Sequence, residues 1–469
     1  MRLITTAGAD EIDAPDFGAH VPAAIIGGGA CGLIAALTLK DANIECVVLE
    51  RDAVPQGSTA LSSGFIPACG TRWQRNIGVA DSADALAADI ERKNHNGARL
   101  EVVRAAAAAS GPALEWLADA HGIPFQVLEG FLYPGHGVAR MHAVPEKTGA
   151  GLIGRLTAAA QRAGVDVLTT APASGLFAND DGRVCGLRIT RADGSLEHIA
   201  CDALILACNG YGGNRAMVQQ YIPEIAEAEY AGHAGNQGDA VLWGSHLGAA
   251  LADMGAYQGH GSWATPYGQL VTWALMTEGG IQVNCEGLRF WNEHQGYSEA
   301  SQHVIAQPGR FAWNIYDQRL HAFAMDFPDY AQLCKAGAIR EAYSASALAS
   351  QLQLPVRTFE ETLYLVEAMQ RGEMNDPFGR EFTGKPALQA PYYAVKVTGA
   401  LFHTQGGLEI DANARVLRAD GSALPNLYAG GGAARGISGA AVWGYLSGNG
   451  LLTAVTQGRL AALHAAALV

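Results

Sequence analysis

The hydrophobic pattern changes period twice within residues 23–50. An apolar run, Ala23-Ala24-Ile25-Ile26, stops at three glycines; apolar residues then recur at helical spacing from Leu33 to Leu39; and a second run, Cys46-Val47-Val48-Leu49, ends in Glu50. This predicts a strand, a tight turn, a helix and a second strand. Residues 1 to about 20 show no such period and read as a loose lead-in. Helical spacing returns over 82–121, 149–163 and 358–371 and in a final helix at about 448–467, whereas Val165–Ala200 alternates as a meander of short strands with turns at 179–182 and 192–194. A buried strand, Ala203-Leu204-Ile205-Leu206, runs into Asn209-Gly210-Tyr211-Gly212-Gly213-Asn214 and reads as the return strand of the first sheet. Residues from about 225 to 390 are richer in aromatics and histidine and read as an inserted second domain. Turn glycines reappear after about 395, ending in Gly430-Gly431-Gly432.

The first turn carries chemistry. Its glycines are spaced Gly27, Gly29, Gly32. That spacing suits a tight turn, close backbone approach to a pyrophosphate, and close helix–strand packing. The helix N-terminus adds free N–H groups and partial positive charge. Glu50 stands where a carboxylate accepts from ribose hydroxyls. The pattern predicts a dinucleotide site.

Composition narrows the partners. The 469 residues are enough for two or three domains, and 49% are hydrophobic, enough for a large core. Lys and Arg total 31 against 45 Asp and Glu, a net charge of −14 that argues against nucleic acid. The eight cysteines are scattered with no CxxC and no Cys/His cluster, so no metal site is expected. With no leader-like segment and no apolar span of membrane length, the expectation is a soluble cytoplasmic protein.

Eight segments in order resemble one family, the FAD-dependent succinate dehydrogenase/fumarate reductase flavoproteins, which include the 3-ketosteroid dehydrogenases. They are GGGACG at 27–32, the strand end at Glu50, the loop 57–64, LACNGYGGN at 206–214, GNQGDAVLWGSHLGA at 235–249, VNCEGLRFWNE at 283–293, FHTQGGLEID at 402–411 and LPNLYAGGG at 424–432. The resemblance implies an α/β fold: a doubly wound, Rossmann-like FAD-binding domain (1–224 and 391–469) with an inserted α+β capping domain (225–390), the active site between them. It implies FAD contacts from Gly27, Gly29, Ala30, Cys31, Gly32, Glu50, Arg51, Ser58, Thr59, Ser62, Ser63, Gly64, Asn209, Gly210, Asn214, Asp239, Gly431, Gly432 and Gly448. Ser58 stands where covalent flavoproteins of the family carry a histidine, which implies non-covalent FAD. Gly432 replaces a glutamate that often contacts the cofactor in such proteins.

Within the family, the residues at the reacting end point away from a dicarboxylate. The position that resembles the proton-delivering arginine of fumarate reductases is Tyr297, its relay falls on Trp273 and Met276, and the carboxylate-clamping arginine is replaced by Tyr445. Tyrosines here resemble 3-ketosteroid dehydrogenases. That likeness implies that Tyr297 removes the proton alpha to a ketone, that Tyr445 and a backbone N–H, from Asn449, polarise the carbonyl, and that the beta hydride passes to flavin. His260 and His403 resemble substrate-binding histidines and are equally readable as hydrogen-bonded structural residues. Trp263, Trp273, Trp291 and Trp443 are candidates for a flat apolar pocket, and Tyr133, Arg140 and His142 for its FAD-side wall; Arg140 and Arg435 read equally as carboxylate ligands or as salt-bridge partners. The expected activity is desaturation of a cyclic ketone beside its carbonyl, with an unidentified electron acceptor. An ene-reductase of enoates or enones, and a non-catalytic flavin redox protein, are the alternatives.

Overall fold

In the computed structural model, which describes residues 1–382 and 384–469, two sheets carry the chain. The first has ten strands. Its parallel centre places Cys46–Leu49 beside Ala19–Ile26, then Leu196–Leu206, then Ala423–Ala429. The return strand predicted at 203–206 is therefore part of this sheet. All four strands are apolar and buried over their paired ends, as a sheet covered on both faces requires. The registers Ile26↔Leu49, Ile26↔Leu206 and Leu206↔Ala429 align their carboxyl ends. Hence the glycine turn, Glu50, the 208–214 loop and glycines 430–432 leave the sheet at one edge, where doubly wound sheets bind ligands. The helices Ala30–Asp41 and Asn449–Ala466 pack together under that edge; a Cβ on Gly458 would lie 2.4 Å from the Cys31 carbonyl oxygen, so glycine sets their spacing.

The lead-in is more ordered than its sequence predicts. Arg2–Ile4 pairs antiparallel with Ala173–Ala178, and Ala9–Glu11 pairs with Arg2–Ile4. Buried Ile4 anchors this edge, a single apolar contact too short to show as a period. Within 165–200, Asp166–Leu168 pairs in parallel with Cys46–Leu49, and only the following strands form the meander.

The second sheet has seven strands, and its centre is Tyr392–Thr404, flanked by Tyr257–Ala264 and Ala312–Asp317. A boundary at 390/391 thus places a strand of this sheet with the FAD-binding part. Its core includes Trp273, Trp291, Tyr297 and Phe359, and Tyr445 from the C-terminal segment packs into the same cluster. The cleft between the two sheets' loops is lined by both.

Candidate active site

The cleft between the two sheets' loops is open to solvent. It runs from the glycine turn to an aromatic wall.

At the first end each glycine of the motif has a different cause. Gly27 has φ +112°, and a Cβ there would lie 2.4 Å from the Ala207 carbonyl oxygen; a Cβ on Gly32 would lie 1.9 Å from the Gly27 carbonyl oxygen. Both are required by packing within the protein. A Cβ on Gly29 would meet only Thr59 Oγ1, at 3.5 Å, and Gly29 lines the cleft, so the room left there is for a ligand. Thr59 Oγ1 accepts from the Ala30 N–H (3.0 Å), and no acidic side chain occupies the first helical turn to compete for an anion. Buried Glu50 is fixed by the N–H groups of Gly28 (2.8 Å) and Asp52 (2.9 Å), which leaves its remaining lone pairs for ribose hydroxyls.

The expected loop 57–64 begins as a short helix, Gly57–Leu61, and within it Ser58 accepts from Asn209 Nδ2 (2.7 Å) and Asn236 Nδ2 (3.0 Å). Ser62, Ser63, Gly64, Arg51, Ala30, Cys31, Gly431, Gly432 and Gly448 also line the cleft. Gly32, Gly210, Asn214 and Asp239 do not line it. Asn214 caps the helix Arg215–Tyr221 through the Met217 N–H (3.2 Å), and Asp239 holds Arg51 at 2.6 Å, so these two act on the site through neighbours. The glycine cradle, the anchored acid and the small-residue loops fit FAD.

At the other end Tyr297 opens the helix Tyr297–Ile305, and Tyr445 follows the turn Val442–Gly444. Their rings lie 6.0 Å apart and both line the cleft. His260 stacks on Tyr297 at 4.7 Å and on Phe402 at 5.5 Å, while Tyr133, Trp273 and His403 surround the pair edge-on. The Tyr445 hydroxyl donates to Gln258 Oε1 (3.0 Å) and accepts the Gly450 N–H (3.4 Å). Asn449 is different from expectation: its N–H is taken by the Leu446 carbonyl (3.0 Å) and it does not line the cleft. The N–H that meets Tyr445 at the cleft wall is that of Gly450.

Burial sets the protonation of this wall. Both phenols are buried, so the Tyr297 pKa lies well above its ordinary value, raised further by Tyr445, and Tyr445 is pushed up to about 12. His260 is lowered to about 3 and His403 to about 4, both by desolvation. His260 Nδ1 accepts from the Ser262 N–H (3.0 Å), so its ring proton sits on Nε2. A buried chain reaches His403: Asn449 Nδ2 donates to Ser438 Oγ (3.2 Å), which donates to Gln405 Oε1 (3.0 Å), and His403 Nδ1 lies between Gln405 Nε2 (3.0 Å) and the Thr404 carbonyl oxygen (3.3 Å). Both histidines are neutral and line the cleft.

Other candidates lie elsewhere. Arg140 is buried in a bidentate pair with Asp81 (2.7 and 2.8 Å) and also holds Asp89; Arg435 pairs with Asp253 (2.6 Å) and Glu409 (2.9 Å). Neither is a substrate ligand. His142 bonds Thr71 Oγ1 and the Arg140 carbonyl, both at 2.8 Å. Of the four tryptophans only Trp273 lines the cleft: Trp263 bonds Glu229, Trp291 bonds Gln282, and Trp443 stacks on His95 at the surface. Gln258, Gly450, Ser447 and Asp329 were not foreseen as lining residues. Gln258 had a signal, since it stands two residues from His260 on one strand and so shares its face. Among the described residues the formally charged side chains lining the cleft are Glu50, Arg51, Asp52 and Asp329. No group of His, Cys, Asp or Glu among them could hold a metal ion.

The FAD binding domain family matches residues 23–451. The chain belongs to that family. A probable fumarate reductase of Shewanella frigidimarina is 27% identical over 444 residues, covering 94% of this chain and 74% of the relative. A 3-oxosteroid 1-dehydrogenase of Mycobacterium tuberculosis is 31% identical over 361 residues, covering 68% of this chain and 63% of the relative. Among solved structures, the open conformation of a flavocytochrome c3 fumarate reductase aligns with a TM-score of 0.79 at 25% identity, over 97% of this chain and 81% of that one. The 3-ketosteroid-Δ4-(5α)-dehydrogenase of Rhodococcus jostii RHA1, in complex with 4-androstene-3,17-dione, shares the fold at a TM-score of 0.77 and 23% identity, over 97% and 98%. The chain is an FAD-dependent oxidoreductase acting on CH–CH groups of a small molecule. Among the described residues no helix is long and apolar enough to cross a membrane.

Proposed function

We propose that this flavoprotein desaturates a cyclic ketone beside its carbonyl, with FAD held non-covalently. The observation that carries this reading is the Tyr297–Tyr445 pair on the cleft wall, 6.0 Å between rings, with no Arg or Lys among the described residues that line the cleft at that end. A dicarboxylate needs guanidinium partners; among the described residues the sole charged side chain lining the cleft away from the ribose end is the carboxylate of Asp329, which repels an anion.

The roles follow from geometry. On ketone binding the Tyr445 hydroxyl, which otherwise donates to Gln258 Oε1, and the Gly450 N–H, which otherwise donates to that hydroxyl, turn to the ketone oxygen and stabilise the negative charge that grows on it. His260, protonated on Nε2, offers a further neutral donor. Tyr297, as phenolate, accepts the alpha proton; the electron pair of that C–H bond forms the new C=C as the beta hydrogen leaves with its own pair. Bound FAD supplies the hydride acceptor. Trp273, Phe402 and Tyr133 shape an apolar slot for a ring and keep water from the phenolate. The two parts of the chain act as an FAD-binding domain and a capping domain, and Ser58, held by Asn209 and Asn236, offers no covalent link to the flavin.

A second reading, reduction of an enone or enoate, draws support from the two neutral histidines, which would equally polarise an acceptor, and from the greater coverage of the fumarate reductase relative. Anaerobic mixing separates them. Saturated cyclic ketones should bleach the oxidised flavin; reoxidation of the reduced flavin by enoates, with no bleaching by any ketone, selects the second reading.

A further inference from the structure

The helix Ala83–Lys93 buries Leu86, Ala87 and Ile90 in the first core, yet its last turns direct polar groups at three loops of the aromatic wall. Lys93 Nζ donates to the Gln295 carbonyl (2.8 Å) and pairs with the Glu299 carboxylate. These acceptors bracket Tyr297 on both sides. The Lys93 and Glu299 side chains are only 14% and 10% exposed. The other carboxylate oxygen of Glu299 is buried without a partner, so Lys93 is what holds this group. Gly296 makes the arrangement possible: its φ is +143°, and a Cβ there would lie 2.6 Å from Glu299 Oε2. Four residues earlier on the same face, Asp89 accepts the Gly137 N–H (2.7 Å) and pairs with Arg140. It thereby fixes the loop that carries Tyr133 and His136. His136 Nε2 donates to the Ser447 carbonyl (2.9 Å), two residues beyond Tyr445. Asn94 Nδ2 donates to the Ile437 carbonyl (2.9 Å) in the same C-terminal segment.

One helix of the first core thus reaches both tyrosines from behind. We propose that Lys93 is a positioning residue: through the Gln295 carbonyl and the Glu299 carboxylate it sets where the Tyr297 hydroxyl stands relative to Tyr445. The proposal rests on the reading of these tyrosines as the working pair. A buried ion pair is a poor source of net stability, because desolvation offsets most of the attraction. What it supplies here is a fixed geometry across the boundary between the two sheets.

The test uses FAD-loaded protein, the variants Lys93→Met and Lys93→Met/Glu299→Gln, and two readouts. The double variant removes the carboxylate that the single one strands, so it keeps the test sound where the single one folds poorly. Hydrogen–deuterium exchange of amides 295–300 should rise about tenfold in either variant, while amides of the glycine turn stay protected. Anaerobic flavin reduction by a cyclic ketone should slow by about 10²-fold with an almost unchanged ketone Kd, as expected of a misplaced reacting group. The loss should vanish in a Tyr297→Phe background. Wild-type protection at 295–300 in the double variant, or an equal fractional loss with Tyr297 absent, overturns the proposal. If no ketone reduces the wild-type flavin, the desaturase reading fails, and the exchange readout still decides the positioning.

Discussion

The two ends of the cleft are built differently. The nucleotide end is made of main chain: glycines 27–32, an acid held by two N–H groups, and loops of serine and glycine. Its central motif, 27–32, is contiguous in sequence; Gly27 and Gly32 are required by packing against backbone, and Gly29 leaves room for a ligand. The aromatic end is made of side chains drawn from positions 133, 258–260, 273, 297, 402–403 and 445, which only the second sheet and the C-terminal segment bring together. The first end holds a cofactor common to many reactions. The second decides which reaction is run, and its polar groups work under burial that suppresses their ionisation.

The comparison breaks most sharply at Tyr297. Tyr297→Phe should lower the rate of flavin reduction by about 10²–10⁴-fold, the range for loss of a general base, while FAD stays bound; stopped-flow absorbance reads both. Turnover within tenfold of wild type removes Tyr297 from the mechanism.

The wall's protonation predicts the next effect. Burial raises both phenols, so the phenolate fraction is small at pH 7 and grows with pH. The flavin reduction rate should climb by about tenfold per pH unit from pH 6 to 9. A rate that falls over that range contradicts a phenolate base.

At the nucleotide end, Gly32→Ala and Gly29→Ala should separate. The Gly32 Cβ meets backbone at 1.9 Å and should destabilise even the apoprotein, whereas the Gly29 Cβ fits the protein and faces the ligand. Gly29→Ala should weaken FAD about tenfold, or about 1.4 kcal/mol, with an unaltered apoprotein Tm. Equal losses of Tm in the two variants would merge the roles assigned to these glycines.

The smallest effect is on acid stability. His260 is held neutral near 3 and His403, His136 and His142 near 4, all by burial, against an ordinary value of ~6.5. The unfolded chain binds these protons first, so stability is full above about pH 6.5 and is lost as pH falls towards 4, at a rate approaching ~1.4 kcal/mol per pH unit for each histidine. In Tm measurements, His260→Gln should flatten that slope by one histidine's share.

What could be read from sequence follows the same division. The parallel strands and the cradle at 27–32 were legible because strand period, turn glycines and helical spacing are local. The helices at 82–121 and 448–467 were legible for the same reason, and the structure places them at 83–93, 100–121 and 449–466. The edge strands near Arg2 and Ala9 were not, since Arg2–Ile4 forms by pairing with Ala173–Ala178 and Ala9–Glu11 by pairing with Arg2–Ile4. At the aromatic end, Tyr297 and Tyr445 stood out by resemblance, yet their contact through space has no sequence signature. Arg140 shows the converse: its partner Asp89 is 51 residues away, so an internal ion pair looked identical to a ligand site. The N–H beside Tyr445 shifted by one residue, from Asn449 to Gly450, because the start of the last helix takes the Asn449 N–H for the Leu446 carbonyl.

The central claim is that Tyr297 removes a proton alpha to a carbonyl. It is tested most directly by anaerobic flavin reduction with cyclic ketones carrying deuterium at the alpha carbon. The account predicts bleaching by the protiated ketone, slower bleaching by the deuterated one, and almost none with either in Tyr297→Phe. Bleaching that ignores alpha deuterium and survives in Tyr297→Phe would contradict it.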